Sequence, residues 1–88
     1  MAWRIEYARS VRKDVRKLDP QDQRRIREYL ENRVLGLDNP RRLGQPLQGQ
    51  LTSLWRYRVG RFRVVCELRD KSMIVLVVRI GHRSSVYE

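Results

Sequence analysis

Cysteine is nearly absent: Cys66 is the single thiol among 88 residues. One thiol supports neither an internal disulfide nor a cysteine-rich zinc site, and its place in an alternating apolar run marks it as a small buried hydrophobe. Long apolar stretches are missing too. The longest, Met73 to Val78, is far shorter than the roughly 20 residues that a membrane-crossing helix needs. The opening residues MAWRIEYARS carry Arg4 and Glu6 and lack the apolar segment of roughly 7 to 15 residues found in secretory signals. The expectation is a cytoplasmic protein with no membrane partner. The length leaves room for a single domain, residues 1–88, with one core burying about 60% of the surface an unfolded chain exposes.

Acidic residues are scarce and lysine scarcer still. Ten acidic residues stand against 20 basic ones, giving a formal net charge of +10, and 17 of the basic residues are arginine. A polyanionic partner is expected, and arginine in place of lysine favours planar, bidentate recognition of phosphate. The excess is uneven, +3 over residues 1–40 and +7 over residues 41–88. The polyanion site is therefore expected in the C-terminal half.

Periodicity divides the chain into elements. Trp3, Ile5 and Tyr7 alternate with Arg4 and Glu6, the pattern of a short half-buried strand. From Ala8 to Leu18 the apolar spacing becomes Val11, Val15, Leu18, which predicts an amphipathic helix. Asp19-Pro20 offers an N-cap oxygen and a first-turn proline, with Asp22 favouring the positive helix end. A second helix should run from there to about Leu35 on the stripe Ile26, Leu30, Val34 and stop before Gly36 and Asp38-Asn39-Pro40. Asn39 to Gln50 has no apolar period and reads as an ordered connection without an element of its own. Leu54 to Val59, Arg61 to Arg69 and Ser72 to Ile80 read as three strands joined by tight hairpins at Gly60 and Asp70-Lys71. The last is apolar on both faces, as in a central covered strand. The predicted fold class is α+β, in the order β-α-α-β-β-β, with an N-terminal helical hairpin packed on one face of a small, mainly antiparallel sheet.

Trp55-Arg56-Tyr57-Arg58-Val59 alternates cleanly, which sends Arg56 and Arg58 to one side of their strand and the aromatic residues to the other. A hairpin at Gly60 would set some of Arg61, Arg63 and Arg69 across from them, a crowding of like charge that costs stability. Such crowding suits either a bound anion or a solvated edge lined with arginine against aggregation. In the tail, His82, Arg83 and Tyr87 place an imidazole, a guanidinium and a phenol beside this basic sheet. That set suits acid-base cleavage of a phosphodiester, although a polar chain end ordinarily frays.

The element order, WRYRVGRFRVV, the LxG-like Leu47-Gln48-Gly49 and the ending RIGHRSSVYE together resemble the RelE/ParE toxin superfamily over essentially the whole chain, with the RelE branch as the nearer fit. The resemblance implies the toxin of a type II toxin-antitoxin system: a ribosome-dependent, metal-independent endoribonuclease that needs no cofactor. It would enter the ribosomal A site and cut mRNA by attack of the ribose 2'-hydroxyl on the adjacent phosphate, so inhibiting translation. A cognate antitoxin would inhibit it in a complex that is expected to be oligomeric. By the same resemblance the catalytic residues are Arg63 on the scissile phosphate, Arg83 near the leaving group and Tyr87 as base or orienter of the attacking hydroxyl. Arg56, Arg58, Arg61 and His82 would bind substrate phosphate. Arg56 and Arg58 stand where better-known members carry lysine, and a guanidinium cannot be a general base. Several members carry a further C-terminal helix, whereas this sequence ends one residue after Tyr87. An antitoxin is then expected to cover the basic surface or the helical hairpin directly. The alternative within the superfamily is a ParE-like inhibitor of DNA gyrase without nuclease activity. A non-catalytic RNA-binding module would instead need Trp55 and Tyr57 exposed for stacking.

Overall fold

The computed structural model describes residues 3–47 and 54–82. Strand β1 (Arg4–Tyr7) leads through a 3-10 turn (Arg9–Val11) into helix α1 (Arg12–Arg16), followed by α2 (Pro20–Glu28) and its continuation as one π-helical segment (Tyr29–Val34). A second 3-10 turn (Pro40–Arg42) precedes β2 (Gln45–Pro46), β3 (Leu54–Val59), β4 (Phe62–Arg69) and β5 (Ile74–His82). The strands form one sheet in the order β1-β5-β4-β3-β2. β1 runs parallel to β5, and every other pairing is antiparallel. The expected α+β hairpin-on-sheet arrangement is present, with one strand more than the sequence suggested.

Both helices lie on one face of the sheet, because the apolar stripes and the strand alternation meet there. Val11, Ile26, Leu30 and Val34 from the helical side are buried against Tyr57, Val59, Phe62, Val64, Cys66, Leu68, Val75 and Val77. Cys66 is fully buried, and burial raises its thiol pKa well above the ordinary value, so it acts as a core hydrophobe. Among the described residues no helix is long and apolar enough to cross a membrane.

Several local expectations are corrected. Asp19 occupies the N-cap position of α2 in extended geometry, with Pro20 next, but its side chain accepts no capping hydrogen bond. Its backbone carbonyl accepts from Gln23 N instead. The Gln23 amide in turn donates to the carbonyls of Val15 (2.8 Å) and Leu18 (3.1 Å), which closes the end of α1 and clamps the hairpin. The connection after Asn39 is not free of elements: it holds the turn at Pro40–Arg42 and strand β2, paired with Trp55 and Arg56. The Asp70-Lys71 hairpin is wider than expected, since Arg69 pairs with Ile74 and Met73 takes a left-handed φ of 57°.

Strand β5 carries the largest departure. Val64 pairs with Ile80 and Val65 with Arg79, yet Cys66 pairs with Val77, so Val78 is an extra residue with no partner on β4. Val75 and Val77 face the core before it and Ile80 after it, leaving Arg79 exposed. β1 ends at the Tyr7 and Val77 pair, and side chains from the first helical turns take over its edge. Ser10 Oγ donates to the Val78 carbonyl, and Ile80 N donates to Asp14 Oδ2, both at 2.9 Å. Asp14, flanked by basic residues in sequence, thus serves as a strand partner.

The loop and the β4–β5 turn are joined by a two-pronged ion pair, Arg41 Nη1 and Nη2 donating to Asp70 at 2.8 and 2.9 Å. Arg41 also lies 5.8 Å from the Trp55 ring centre. These hydrogen bonds hold the Asp70 carboxyl below its ordinary pKa. A depressed carboxylate stabilises the fold above its unfolded pKa and loses that effect as pH falls through the folded one. Because the Asp70 side chain is 61% exposed, solvent screening leaves a small effect. Asp70→Asn is expected to cost less than about 1 kcal/mol at neutral pH. In strong acid the variant and wild type should melt alike, as urea titrations at the two pH values would show.

Candidate nucleic-acid interface

The hairpin joining β3 and β4 builds the basic site. Gly60 and Arg61 form its two-residue turn, and Gly60 alone has positive φ (60°), the II′ pattern that suits strand twist. This turn fixes the register that sets Arg58 directly opposite Arg63 and Arg56 opposite Val65. Residues opposite one another share a face. Arg56, Arg58 and Arg63 therefore leave the sheet on the side away from Tyr57, Val59 and the helices. The alternation read from the sequence holds through β3, where Tyr57 is fully buried and Trp55 half-buried. It breaks at Val65, which is also buried.

A cleft of about 330 Å³ opens beside these arginines, lined by Arg56, Arg58, Arg63, Tyr29, Gly44 and Gln45. Its floor and rim are held from behind. Tyr57 Oη donates to the Pro40 carbonyl (2.8 Å) and Trp55 Nε1 to that of Leu43 (2.7 Å), fixing the loop that delivers Gly44 and Gln45. The Arg56 guanidinium donates to Gln45 Oε1 across the β2–β3 pair. Gly44 has φ 74°, and a Cβ there would lie 2.3 Å from the Arg56 carbonyl oxygen. Gly44→Ala is expected to destabilise by at least about 1 to 3 kcal/mol and to weaken phosphate binding by shifting the loop. Thermal melts paired with sulfate titration would measure both.

Two phenols near the cleft are not bases. Burial raises the pKa of Tyr57 far above the ordinary phenol value and raises that of Tyr29 as well, so both stay protonated, and Tyr57 donates its hydrogen bond to Pro40. Tyr29 packs on Tyr57 with ring centres 6.3 Å apart. No signal in the sequence marked Tyr29, because it lies in helix α2's continuation, outside both the basic strand run and the tail.

The proposed site residues do not all converge. Arg61 and His82 line a separate cavity with Asp14, Lys17, Asp19, Asp22 and Arg79, on the β5 side of the same turn. The His82 ring stands edge-on to Phe62, centres 5.0 Å apart, and register places the two on the helical face. Gly81, not His82, is opposite Arg63. The third reading, with Trp55 and Tyr57 free to stack on bases, fails because both are tied into the fold. Arg83 and Tyr87 lie outside the described residues, as do Gln48 and Gly49. Among the described residues there is no cluster of three or more His, Cys, Asp or Glu side chains able to hold a metal ion.

The architecture defines a class. A chain in the crystal structure of the toxin-antitoxin complex RelBE2 from Mycobacterium tuberculosis shares it with a TM-score of 0.82, at 24% identity over 97% of this chain and 95% of that one. The fold is thus that of the RelE-like toxins. The family model for the ParE toxin of type II toxin-antitoxin system, parDE, matches residues 5–87, and the chain belongs to this family within the RelE/ParE superfamily. In sequence it is 25% identical to Toxin RelG of Mycobacterium tuberculosis over 87 residues, 99% of this chain and 98% of that protein. Toxin RelE of the same organism is 41% identical over 51 residues, 58% of this chain and 53% of that protein.

Proposed function

We propose that this type II toxin is a ribosome-dependent endoribonuclease that cleaves mRNA in the A site and is held inactive by a cognate antitoxin. The observation that carries the reading is the convergence of Arg56, Arg58 and Arg63 on one cleft. Arg58 and Arg63 are directly opposed there, in spite of their mutual repulsion. A phosphodiester between them relieves that repulsion, and the phosphorane formed during cleavage carries more charge than the diester and gains more from it.

In the reaction the 2'-oxygen attacks the adjacent phosphorus, and the bond from phosphorus to the 5'-oxygen breaks. The 2'-hydroxyl gives up its proton and the departing 5'-oxygen receives one, leaving a 2',3'-cyclic phosphate and a 5'-hydroxyl end. Arg63 is assigned to the scissile phosphate, with Arg56 and Arg58 supplying fixed positive charge. Arg83 is assigned to the leaving group and Tyr87 to the attacking hydroxyl. The assignment of Tyr87 as base requires guanidiniums beside it that favour the phenolate over the phenol. An antitoxin with an acidic segment would neutralise the same cleft, and the RelBE2 structure is itself of a toxin-antitoxin complex.

The match to the ParE toxin model favours a second reading, a gyrase inhibitor that cleaves nothing. Mapping mRNA 5' ends on programmed ribosomes, beside a DNA supercoiling assay, separates the two. A-site cuts that weaken in Tyr87→Phe are expected. No cuts by the wild-type protein, together with lost supercoiling, would move the protein to the gyrase-inhibiting branch.

A further inference from the structure

The arginine cleft does not end at Arg58. β2 pairs only with Trp55 and Arg56, so among the described residues the edge of β3 is uncovered from Tyr57 to Val59. Beside that edge runs a second groove of about 490 Å³, lined by Arg25, Glu28, Tyr29, Asn32, Arg33 and Arg58. Tyr29 and Arg58 line both clefts, so the two adjoin at the edge of the sheet.

The helical side of this groove is a stripe. Arg25, Tyr29 and Arg33 recur every fourth residue, and the π-helical segment carries the stripe past Tyr29, with Leu35 N bonded to the Leu30 carbonyl five residues back. Each guanidinium is placed. Arg25 lies over the hairpin turn, where a Cβ on Gly60 would come within 3.1 Å of its Nη1. Arg33 lies 5.6 Å from the centre of the Tyr29 ring. Among the described residues neither arginine makes an ion pair, and Glu28 is the lone carboxylate in the lining.

We propose that this groove is a second phosphate subsite, in which Arg25 and Arg33, with Arg58 shared, bind the phosphate of the nucleotide next to the scissile one on a single RNA strand. The inference rests on the nuclease reading of the neighbouring cleft. Its ligand class follows from adjacency: a polymer with one anion per nucleotide meets two adjoining cationic clefts in succession, with the Tyr29 ring between them. The subsite would set which way the strand lies, because the cavity on the other side of the same turn has no excess of positive charge, its Lys17, Arg61 and Arg79 being offset by Asp14, Asp19 and Asp22.

The test uses uncleavable 2'-O-methyl RNA of two and four nucleotides, with affinity read by fluorescence anisotropy across a salt series. Wild type is expected to bind the longer strand more tightly. Arg25→Gln/Arg33→Gln should lose that gain, weakening by roughly tenfold, and its salt slope should be shallower by about 0.7, the value for one lost single-strand phosphate contact. Arg12→Gln/Arg16→Gln removes the same charge beside a different, apolar cleft and should change affinity less than about twofold if only the diffuse field is altered. Melting curves establish that both variants are folded. Equal weakening of the two double variants overturns the subsite and leaves the nuclease reading standing. Retained RNA affinity with selective loss of binding to a poly-glutamate peptide also overturns it and assigns the groove to an acidic protein. No RNA binding by wild type at low salt overturns the subsite and the nuclease reading together.

Discussion

Arg63→Ala is expected to slow A-site cleavage by on the order of 10² to 10³, the usual cost of removing one preorganised donor from a developing negative charge. The fold should survive. Arg63 is the second residue of β4, half-buried and facing away from the core, directly across from Arg58. Its side chain points away from the packed layer, so the change in stability should stay within about 1 kcal/mol. Single-turnover cleavage on programmed ribosomes, with a thermal melt of the same preparation, measures both quantities. A folded Arg63→Ala protein that still cuts at the wild-type rate would count decisively against the assignment.

The largest effect on stability is expected at Tyr57. Its side chain is fully buried, touches the core from the middle of β3 and donates the hydrogen bond to Pro40 that pins the loop. Tyr57→Ala should cost about 3 to 5 kcal/mol, as for other large aromatic deletions. A domain of this size has only about 5 to 15 kcal/mol in all, so much of the protein would be unfolded at 37 °C. Tyr57→Phe keeps the ring and strands the Pro40 carbonyl, at about 1 to 3 kcal/mol. Urea denaturation should rank the three proteins in that order. A neutral Tyr57→Phe would mean that the loop delivering Gly44 and Gln45 is anchored some other way.

The fold was largely legible in the sequence because its two periods are clean. The stripe Ile26, Leu30, Val34 and the alternation through WRYRV each point to one face, and the structure buries what they mark. What stayed hidden depends on partners distant in sequence. Two residues, Gln45 and Pro46, form β2 only because β3 offers them an edge. Asp14 becomes a strand partner only because β1 ends early. The irregularity in β5 could not be seen, since a run apolar on both sides carries no alternation to interrupt. For the site, Arg56, Arg58 and Arg63 were legible from spacing and register. The grouping of Arg61 and His82 with them was not, because their place is set by the turn and by the register around Val78.

Val78 has a consequence for how the end of the sheet tolerates change. Up to that residue, odd positions of β5 face inward; beyond it, even ones do. Inside and outside are thus read in two frames along one strand. Deleting Val78 would merge the two frames into one unbroken alternation, with Val77 inward, Arg79 outward opposite Val65 and Ile80 inward, so that no side chain beyond it changes face. A one-residue deletion there should be tolerated far better than one at Val64 in the regular part of β4, and its chief cost is the loss of the Val78 carbonyl that accepts from Ser10 Oγ.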